Sequence, residues 1–362
     1  MNVKLFCHSL VSDWNHGNAH FLRGVMRELR RRGHEVDVLE PEDAWSRRNL
    51  LEDAGPQAID DFHAAYPELH SRTYQLRNLD LTRELADADL VLVHDWNEPW
   101  LIAAIGAHHG RHSGYTLLFY DAHHRSASAP EQIGTFDLSG YDAVLAFGAV
   151  IRDLYLERGW ARRVYVWHEA ADTELFRPTE GMARAGELVW IGNWGDGERS
   201  AELAEFLLEP ARTLQLSGHV YGVRYPEAAK RAVRSAGLNC AGWLPNYCVP
   251  QAFAAHRVTV HVPRRAYVRR LPGIPTIRVF EALACGIPLV CAPWEDAEQL
   301  FRPGEDFLVA QDGEEMTEHL RTMLEDRGVA ARRAASGLER IRARHTCAHR
   351  VDELLAIREE LV

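Results

Sequence analysis

The chain has 362 residues, of which 46% are hydrophobic and 26% are charged, and its formal net charge is −11 at pH 7. A chain of this length exceeds the size at which one hydrophobic core usually keeps growing, so we expect two globular domains and exclude a largely disordered or fibrous protein. The acidic balance argues against a general nucleic-acid binder, because affinity for the phosphate backbone comes from clustered Lys and Arg.

Strand and helix patterns alternate along the first half of the chain. An apolar strand is predicted at residues 3–8 and an amphipathic helix at 19–32, and Gly33 ends that helix before a strand at 36–39. The alternation is typical of a parallel sheet with helices on both faces. Further buried strands are predicted at 90–94, 115–120 and 143–147.

A second sheet is predicted after a polar, irregular stretch at residues 169–186, which we interpret as a linker. The predicted fold is α/β, with two Rossmann-like, doubly wound domains at residues 1–168 and 187–345 that face a cleft. Residues 329–362 predict a long helix. Strands of the second domain are expected at 188–192, 215–221, 258–262 and 287–291, and helices at 200–208, 226–236 and 276–284.

The cysteines and the amino-terminal residues bear on the compartment. The six cysteines form no CxxC pair and no Cys/His spacing suited to a closed zinc site, so we expect reduced thiols. Residues 1–6 lead directly into a strand pattern without the features of a secretory signal, and no apolar run reaches membrane-spanning length. We therefore expect a soluble, cytoplasmic protein without a membrane span.

A polar loop precedes the first predicted helix. Gly17 lies close to the start of that helix, where unpaired backbone N–H groups favour an anion or a polar sugar. A tight turn with Asn15 or Asn18 as the helix cap explains the same residues. The loop therefore leaves both interpretations open.

A glycine-rich loop also opens the second sheet. Gly192 and Asn193 begin it, and the loop ends at Arg199, whose guanidinium can form a fork on phosphate oxygens. The alternative is that Arg199 pairs on the surface with Glu198 or Glu202. Because the glycines and the charge coincide, we predict a site for a diphosphate.

A third element combines a helix start with an acidic side chain. Pro275 predicts a helix whose unpaired N–H groups lie at Thr276 and Ile277. Glu281 lies further along that helix, where a carboxylate can accept hydrogen bonds from two vicinal ribose hydroxyls. The alternative is a salt bridge from Glu281 to Arg278, one turn earlier.

Polar side chains follow a predicted strand in the first half as well. Asp121 and His123 come after the strand at 115–120, at the edge where ligands of such sheets bind, although a His in this place is also a common structural hydrogen bonder. Trp14 and Trp194 interrupt the two loops expected to face the site. Their rings can stack on the face of a sugar.

A resemblance is carried by three segments: residues 172–178, residues 192–195 together with Arg199, and residues 280–286. Together they resemble a known family, the retaining GT-B glycosyltransferases of family four. The likeness spans nearly the whole chain and is closest to a branch of spore-maturation glycosyltransferase-like proteins. It implies a GT-B fold and an enzyme that moves a sugar from a nucleotide-diphosphate sugar.

The resemblance implies roles for residues of the second domain. Arg199 and the backbone amides of Thr276 and Ile277 would contact the diphosphate. Glu281 would hold the ribose, and Leu244 would contact the nucleobase. The second domain would therefore bind most of the donor.

The resemblance also implies roles for the first domain. Gly17 would line the donor side of the cleft, and His123 would lie beside the transferred sugar. The last residues, 346–362, would form a helix that packs back on this domain.

One position departs from the family. The family usually carries a Glu that touches the donor sugar eight residues before the ribose-binding Glu, and this chain has Gly273 there. The contact would be absent or supplied by another group. Candidates are Asp121, Arg270 and Arg278.

We predict transfer with retention, which the resemblance implies, and without a metal or other cofactor. Departure of the nucleoside diphosphate builds negative charge on the β-phosphate, which Arg199 and helix amides can stabilise, while Asp121 and His123 position the sugar. No DxD-like pair lies in a suitable loop. The predicted partner is a nucleotide sugar such as a UDP- or GDP-sugar, and the acceptor is a glycan, a metabolite or a protein.

Two alternatives remain open at the level of sequence. An inverting GT-B transferase would use Asp121 or His123 as the general base that removes the acceptor proton. A catalytically silent GT-B scaffold would bind a nucleotide without turnover, which the glycine at position 273 would suit.

Overall fold

The computed structural model of the protein describes residues 1–195 and 197–362, so Asp196 of the predicted glycine-rich loop lies outside the described residues. The chain divides into two compact units. The first consists of Met1–Glu169 with Cys347–Val362, and the second is Ala170–Thr346. Each unit is built around one parallel β-sheet.

The sheet of the first unit has seven strands, and the order along it is β3-β2-β1-β4-β5-β6-β7. All its neighbours pair in parallel. The order reverses beside β1, and ligands of such sheets bind at the carboxyl ends of the strands near that point. The strands are β1 (Asn2–Phe6), β2 (Glu35–Pro41), β3 (Ser71–Tyr74), β4 (Leu90–His94), β5 (Thr116–Asp121), β6 (Ala143–Ala146) and β7 (Val164–Val166).

Amphipathic helices cover this sheet. In the helix that follows β1, Phe21, Leu22, Val25 and Met26 are buried at helical spacing, and Gly33 turns the chain with a φ of 81° before β2. The helices are α1 (Ala19–Arg31), α2 (Trp45–Ala54), α3 (Gln57–Ala65), α4 (Leu81–Glu84), α5 (Pro99–His109), α6 (Arg125–Ser128), α7 (Pro130–Ile133) and α8 (Ala149–Glu157), and the last helix of the chain, α17 (Cys347–Leu361), belongs to the same unit.

The sheet of the second unit repeats the pattern with six strands in the order β10-β9-β8-β11-β12-β13, again all parallel. Its order reverses beside β8. The strands are β8 (Leu188–Ile191), β9 (Gly218–Tyr221), β10 (Leu238–Gly242), β11 (Val258–His261), β12 (Leu289–Cys291) and β13 (Leu308–Val309). The carboxyl ends of β8 and β11 therefore flank the switch point.

Helices connect the strands of the second unit. The helix at Ile277–Cys285 ends at Gly286, which takes the left-handed conformation with a φ of 66°. A π-helical turn at Ala204–Leu208 joins two short helices. The helices are α9 (Ser200–Leu203), α10 (Glu209–Thr213), α11 (Glu227–Ser235), α12 (Val249–Ala254), α13 (Arg265–Arg270), α14 (Ile277–Cys285), α15 (Gly313–Glu325) and α16 (Arg327–Arg344).

The segment predicted as a linker folds with the second unit. Ala170, Ala171 and Phe176 are fully buried, and Ala171 forms a bridge with Thr346. Apolar residues inside this polar stretch therefore place the start of the unit at Ala170.

The carboxyl-terminal stretch is two helices, so the prediction of one long helix at 329–362 is wrong. The break falls at His345 and Thr346, between α16 and α17. Within the first unit, α17 packs against α1, and the indole Nε1 of Trp167 donates to the carbonyl oxygen of Arg350 at 2.8 Å. Within residues 1–195 and 197–362, no helix combines the length and the hydropathy of a membrane span.

Candidate active site

The guanidinium of Arg199 lies at the carboxyl edge of the second sheet. Its Nη1 donates to the carbonyl oxygen of Val262 at 3.0 Å, and its Nε and Nη2 donate to that of Asn193 at 3.2 and 2.6 Å. These carbonyls follow β11 and β8, the strands that flank the switch point. The ring of Trp190 lies 5.1 Å below the guanidinium. The side chain is therefore held in one place beyond the sheet.

The predicted alternative for Arg199, a surface ion pair, is wrong. Glu198 pairs with Arg264 at 3.0 Å, and Glu202 pairs with Arg265 at 2.5 Å. Among the described residues, Arg199 has no carboxylate partner within ion-pair distance.

Burial lowers the pKa of the Arg199 guanidinium to about 10, and the nearby charge of Arg264 contributes to the shift. The group therefore stays positive at neutral pH. A guanidinium carries five N–H groups, and the described hydrogen bonds use three of them. A desolvated cation with N–H groups left over attracts an anion, because a buried charge is costly until it is paired.

The start of α14 lies beside this guanidinium. His261 directly precedes Val262, whose carbonyl oxygen accepts from Arg199. The imidazole Nε2 of His261 lies 3.0 Å from the hydroxyl Oγ1 of Thr276, the residue before α14. Among the described residues, the backbone N–H groups of Thr276 and Ile277 have no hydrogen-bond partner. The helix dipole adds positive potential at these amides. The structure therefore brings Arg199, Thr276 and Ile277 to one edge.

His261 is a residue of this site that sequence reasoning missed. It is the last residue of a buried strand, and burial lowers its pKa to about 3, with a contribution from the charge of Arg199. A neutral ring adds no positive charge at neutral pH, so its contribution is to hold the Thr276 hydroxyl. The sequence did not indicate this contact, because a single His within an apolar strand pattern does not reveal its partner.

Glu281 is fully buried, and its carboxylate is bonded to side chains on two sides. Oε1 accepts a hydrogen bond from Nδ2 of Asn246 at 2.7 Å, and Oε2 accepts one from Nη1 of Arg278. The salt-bridge alternative for Glu281 is therefore present. Arg278 is 28% exposed and covers the carboxylate, and half-buried Leu244 lies two residues before Asn246. The loop after β10 and the middle of α14 thus meet at Glu281.

Gly273 has no room for a side chain. Its φ is 89°, and a Cβ atom there would lie 2.8 Å from Cγ and 3.2 Å from Oε1 of Glu298. The Gly273 N–H also donates to the carbonyl oxygen of Glu295 at 2.7 Å. The acidic side chain next to this position is thus Glu298, from the loop after β12. Glu298 is not among the candidates that the sequence offered for the missing contact, which were Asp121, Arg270 and Arg278.

In the first unit, Gly17 lies in a turn before α1. The residue before the helix is Asn18, but its side chain makes no capping bond. Its Nδ2 instead donates to Oε1 of Glu169 at 2.8 Å and to the Tyr120 hydroxyl at 3.3 Å. The alternative in which Asn18 caps α1 is therefore wrong.

Asp121 ends β5 and is fully buried. Oδ2 accepts a hydrogen bond from the Tyr155 hydroxyl at 2.9 Å, and Oδ1 accepts one from the backbone N–H of His123 at 3.1 Å. Burial raises the pKa of Asp121 to about 7, and the charge of Asp95 contributes. Asp121 thus fixes the turn that carries His123, whose ring stacks edge-on against Trp96 at 5.1 Å.

The two tryptophans favoured from the sequence differ in their surroundings. Trp14 is 7% exposed and donates from Nε1 to Oδ2 of Asp53 at 2.5 Å, so its role is packing. Trp194 is half-buried against Tyr225, with ring centroids 5.7 Å apart.

Possible metal ligands are scattered in the described part of the chain. Within residues 1–195 and 197–362, no three His, Cys, Asp or Glu side chains are grouped so that they could hold a metal ion. The six cysteines are free thiols.

Solved structures share this architecture along the whole chain. A glycosyltransferase from Rickettsia africae has 10% identity and a TM-score of 0.68, with coverage of 99% of this chain and 98% of that chain. HepE from Anabaena, in complex with UDP and glucose, has 14% identity and a TM-score of 0.68, with coverage of 99% of this chain and 100% of that chain. Sucrose-phosphate synthase from Thermosynechococcus elongatus has 15% identity and a TM-score of 0.66, with coverage of 100% of this chain and 99% of that chain. At these identities the likeness concerns the fold, which is GT-B.

Family models match both halves of the sequence. Residues 17–175 match the family described as Glycosyltransferase Family 4, and residues 199–356 match the family described as Glycosyl transferase-like. The chain is a GT-B glycosyltransferase. A search of curated proteins finds no significant match.

For this GT-B glycosyltransferase, the predicted fold and the predicted enzyme class are confirmed. The enzyme class argues against the alternative of a catalytically silent scaffold. Retention and the spore-maturation branch stay predictions. So do the roles of the site residues. In the second unit, Arg199 lies near Gly192, Asn193 and the start of α14 at Thr276 and Ile277. Glu281 lies with Arg278 and the loop of Leu244.

Proposed function

We propose that this glycosyltransferase takes a sugar from a uridine-diphosphate sugar and transfers it with retention of the anomeric configuration and without a metal ion. The observation that carries the proposal is the guanidinium of Arg199, which is desolvated, positive and bonded only to carbonyl oxygens among the described residues. UDP is the favoured nucleotide because a solved structure of HepE, which has the same fold, is a complex with UDP and glucose.

The diphosphate binds to the remaining N–H groups of Arg199 and to the amides of Thr276 and Ile277. These donors are already oriented, because Arg199 is anchored on Asn193 and Val262. Preorganised donors stabilise charge that develops in the transition state without reorganisation, and one such donor is typically worth about 10²–10³ in rate. They therefore supply the positive potential that a metal ion supplies in other transferases.

The ribose binds Glu281. A carboxylate has about four lone-pair positions, so it can accept bonds from two hydroxyls while Asn246 keeps its own. The partly exposed side chain of Arg278 moves away from Glu281 when the ribose enters and becomes available to the phosphates. Leu244, which precedes Asn246 in the same loop, contacts the nucleobase.

The transferred sugar reaches Glu298. The donor is a linear molecule with the ribose at Glu281 and the diphosphate at the start of α14, so its sugar lies beyond the start of the helix. Glu298 lies beside Gly273, on that side of α14. Its carboxylate accepts hydrogen bonds from sugar hydroxyls. This contact replaces the one that the family usually makes with a Glu at the position of Gly273.

We expect Glu298→Gln to raise KM for the nucleotide sugar by about 10-fold, because a charge-assisted hydrogen bond is worth roughly 1.5–3 kcal/mol. Affinity for UDP, which lacks the sugar, should stay within about twofold. The measurement is donor kinetics beside UDP calorimetry. Glu295→Gln, which changes an exposed neighbour in the same loop, is the matched control. Equal weakening of UDP and UDP-sugar would contradict the role in sugar binding.

In the reaction, the bond from the anomeric carbon to the β-phosphate oxygen breaks, and its electron pair stays on that oxygen. The acceptor hydroxyl forms the new bond on the same face of the sugar and gives its proton to the departing phosphate. Asp121 positions the His123 turn. Its pKa near 7 would suit a general base, but both its oxygens already accept hydrogen bonds and it is fully buried, which favours the positioning role.

The test is transfer from UDP-sugars in the presence of excess EDTA, with GDP- and ADP-sugars in parallel and the product anomer read by NMR. We expect an α-linked product from an α-linked UDP-sugar at an unchanged rate. A β-linked product would overturn retention in favour of a base mechanism. A rate restored only by Mn²⁺ or Mg²⁺ would overturn metal independence.

A further inference from the structure

A pocket of about 670 Å³ opens at the carboxyl edge of the first sheet, and no step of the proposed donor binding uses it. It is lined mainly by residues at the ends of β2 and β3 and by residues that follow β1, β2, β3, β4 and β5. His8 lies in its wall, beside the indole rings of Trp45 and Trp96. The pocket therefore sits beside the switch point of this sheet, where ligands of doubly wound domains bind.

His8 contributes a hydrogen-bond donor to the pocket. It is only 4% exposed, and its Nε2 accepts a hydrogen bond from the backbone N–H of Ser46 at 3.2 Å. Burial lowers its pKa to about 3, so the ring is neutral and carries its single hydrogen on Nδ1. Among the described residues, this Nδ1 has no hydrogen-bond partner. A donor without a protein partner in a pocket wall is available to an acceptor oxygen of a ligand.

Two aromatic rings form a corner around this donor. The rings of Trp45 and Trp96 lie 6.3 Å apart and are inclined at 68°, and the His8 ring lies 4.7 Å from Trp45. Trp96 is fixed by the guanidinium of Arg125, which lies 3.9 Å over its ring. Rigid indole faces bind flat apolar surfaces, including the C–H face of a sugar ring.

The charges around the pocket favour a neutral, hydroxyl-rich ligand. Asp43, Glu98 and Glu131 contribute three carboxylates to the lining. Of the two guanidiniums, Arg125 is paired with Asp95 at 2.8 Å, which leaves Arg48. An excess of carboxylate repels a phosphorylated ligand. A polar rim also fits a wholly apolar aromatic ring less well than it fits hydroxyls.

We propose that this pocket binds a sugar residue of the acceptor, so that the acceptor is a neutral carbohydrate. The apolar face of the sugar stacks on Trp45 and Trp96, one of its oxygens accepts from His8, and its remaining hydroxyls donate to the carboxylates of the rim. The inference rests on the proposed function, because it names the second substrate of the same reaction.

The test is saturation-transfer NMR on the full chain with methyl glucoside, methyl galactoside, methyl mannoside and N-acetylglucosamine as probes. A hexose phosphate and 4-methylumbelliferone are the charged and aromatic comparisons, and UDP is present in every sample. We expect signals from the ring protons of at least one neutral sugar, weakened about fivefold or more in Trp45→Ala and Trp96→Ala. Trp100→Ala, which removes a 51% exposed indole outside the pocket, should leave the signals unchanged.

The UDP signal separates the two proposals and reports folding of each variant. If UDP binds while none of the neutral sugars does, or while the hexose phosphate or 4-methylumbelliferone gives the stronger signal, the carbohydrate pocket is refuted and the donor site stands. Sugar signals that persist in both pocket variants would refute it as well. If UDP fails to bind to the wild-type protein, the proposed function itself fails.

Discussion

Replacement of Arg199 by alanine should lower kcat/KM for the nucleotide sugar by about 10²–10³-fold. The fold anchors this half-buried cation between the ends of β8 and β11, and among the described residues it donates only to carbonyl oxygens there. Alanine removes the charge that stabilises the departing diphosphate. Arg199→Lys should recover only part of the loss, because a compact ammonium lacks the planar fork that spans Asn193, Val262 and a phosphate.

The matched control for this experiment is Arg265→Ala. Arg265 is the first residue of α13 and pairs with Glu202 at the surface. Its loss should change kcat/KM by less than about twofold, since exposed ion pairs contribute little. Steady-state kinetics of the three variants beside circular dichroism provide the measurement. An alanine variant of Arg199 with near-normal turnover would refute its role.

Replacement of Glu281 by alanine has the second largest expected effect, a rise of about 10- to 100-fold in KM for the donor. A hydrogen bond to a charged group contributes roughly 1.5–3 kcal/mol, and the net loss of one such bond to the ribose gives the expected factor. It also leaves Asn246 and Arg278 without their present partner. Donor kinetics and UDP calorimetry together report the effect.

Two further variants separate binding from stability. Glu281→Gln keeps the shape of the side chain and an oxygen for Asn246, so we expect an intermediate loss of affinity with little change in melting temperature. Glu305→Gln removes an exposed partner of Arg302 and should leave affinity unaltered. If the glutamine variant bound UDP as tightly as the wild type, the ribose contact would have to be assigned elsewhere.

The inner strands of both sheets were predictable from sequence, and the outer ones were not. β1, β4 and β5 are buried on both faces and form continuous apolar runs. The missed strands are β3, β7, β10 and β13, and each lies at the edge of its sheet. Edge strands are partly exposed, and Ser71–Tyr74 and Leu238–Gly242 are accordingly polar or small.

The site was predictable where it is local in sequence. The glycine loop with Arg199, and the helix start followed by Glu281, each lie within a short segment whose chemistry can be read directly. His261, Glu298 and His8 were missed because their partners lie in distant segments. Gly273 illustrates the limit, since its sequence neighbourhood suggested a missing acid and the fold brings Glu298 to the same place.

The most direct test of the donor site is a crystal structure of the enzyme with UDP. We predict diphosphate oxygens within about 3 Å of the Arg199 guanidinium and of the N–H groups of Thr276 and Ile277, with the ribose hydroxyls at Glu281. A complex in which the diphosphate lies away from Arg199, while Arg278 still covers Glu281, would contradict the account.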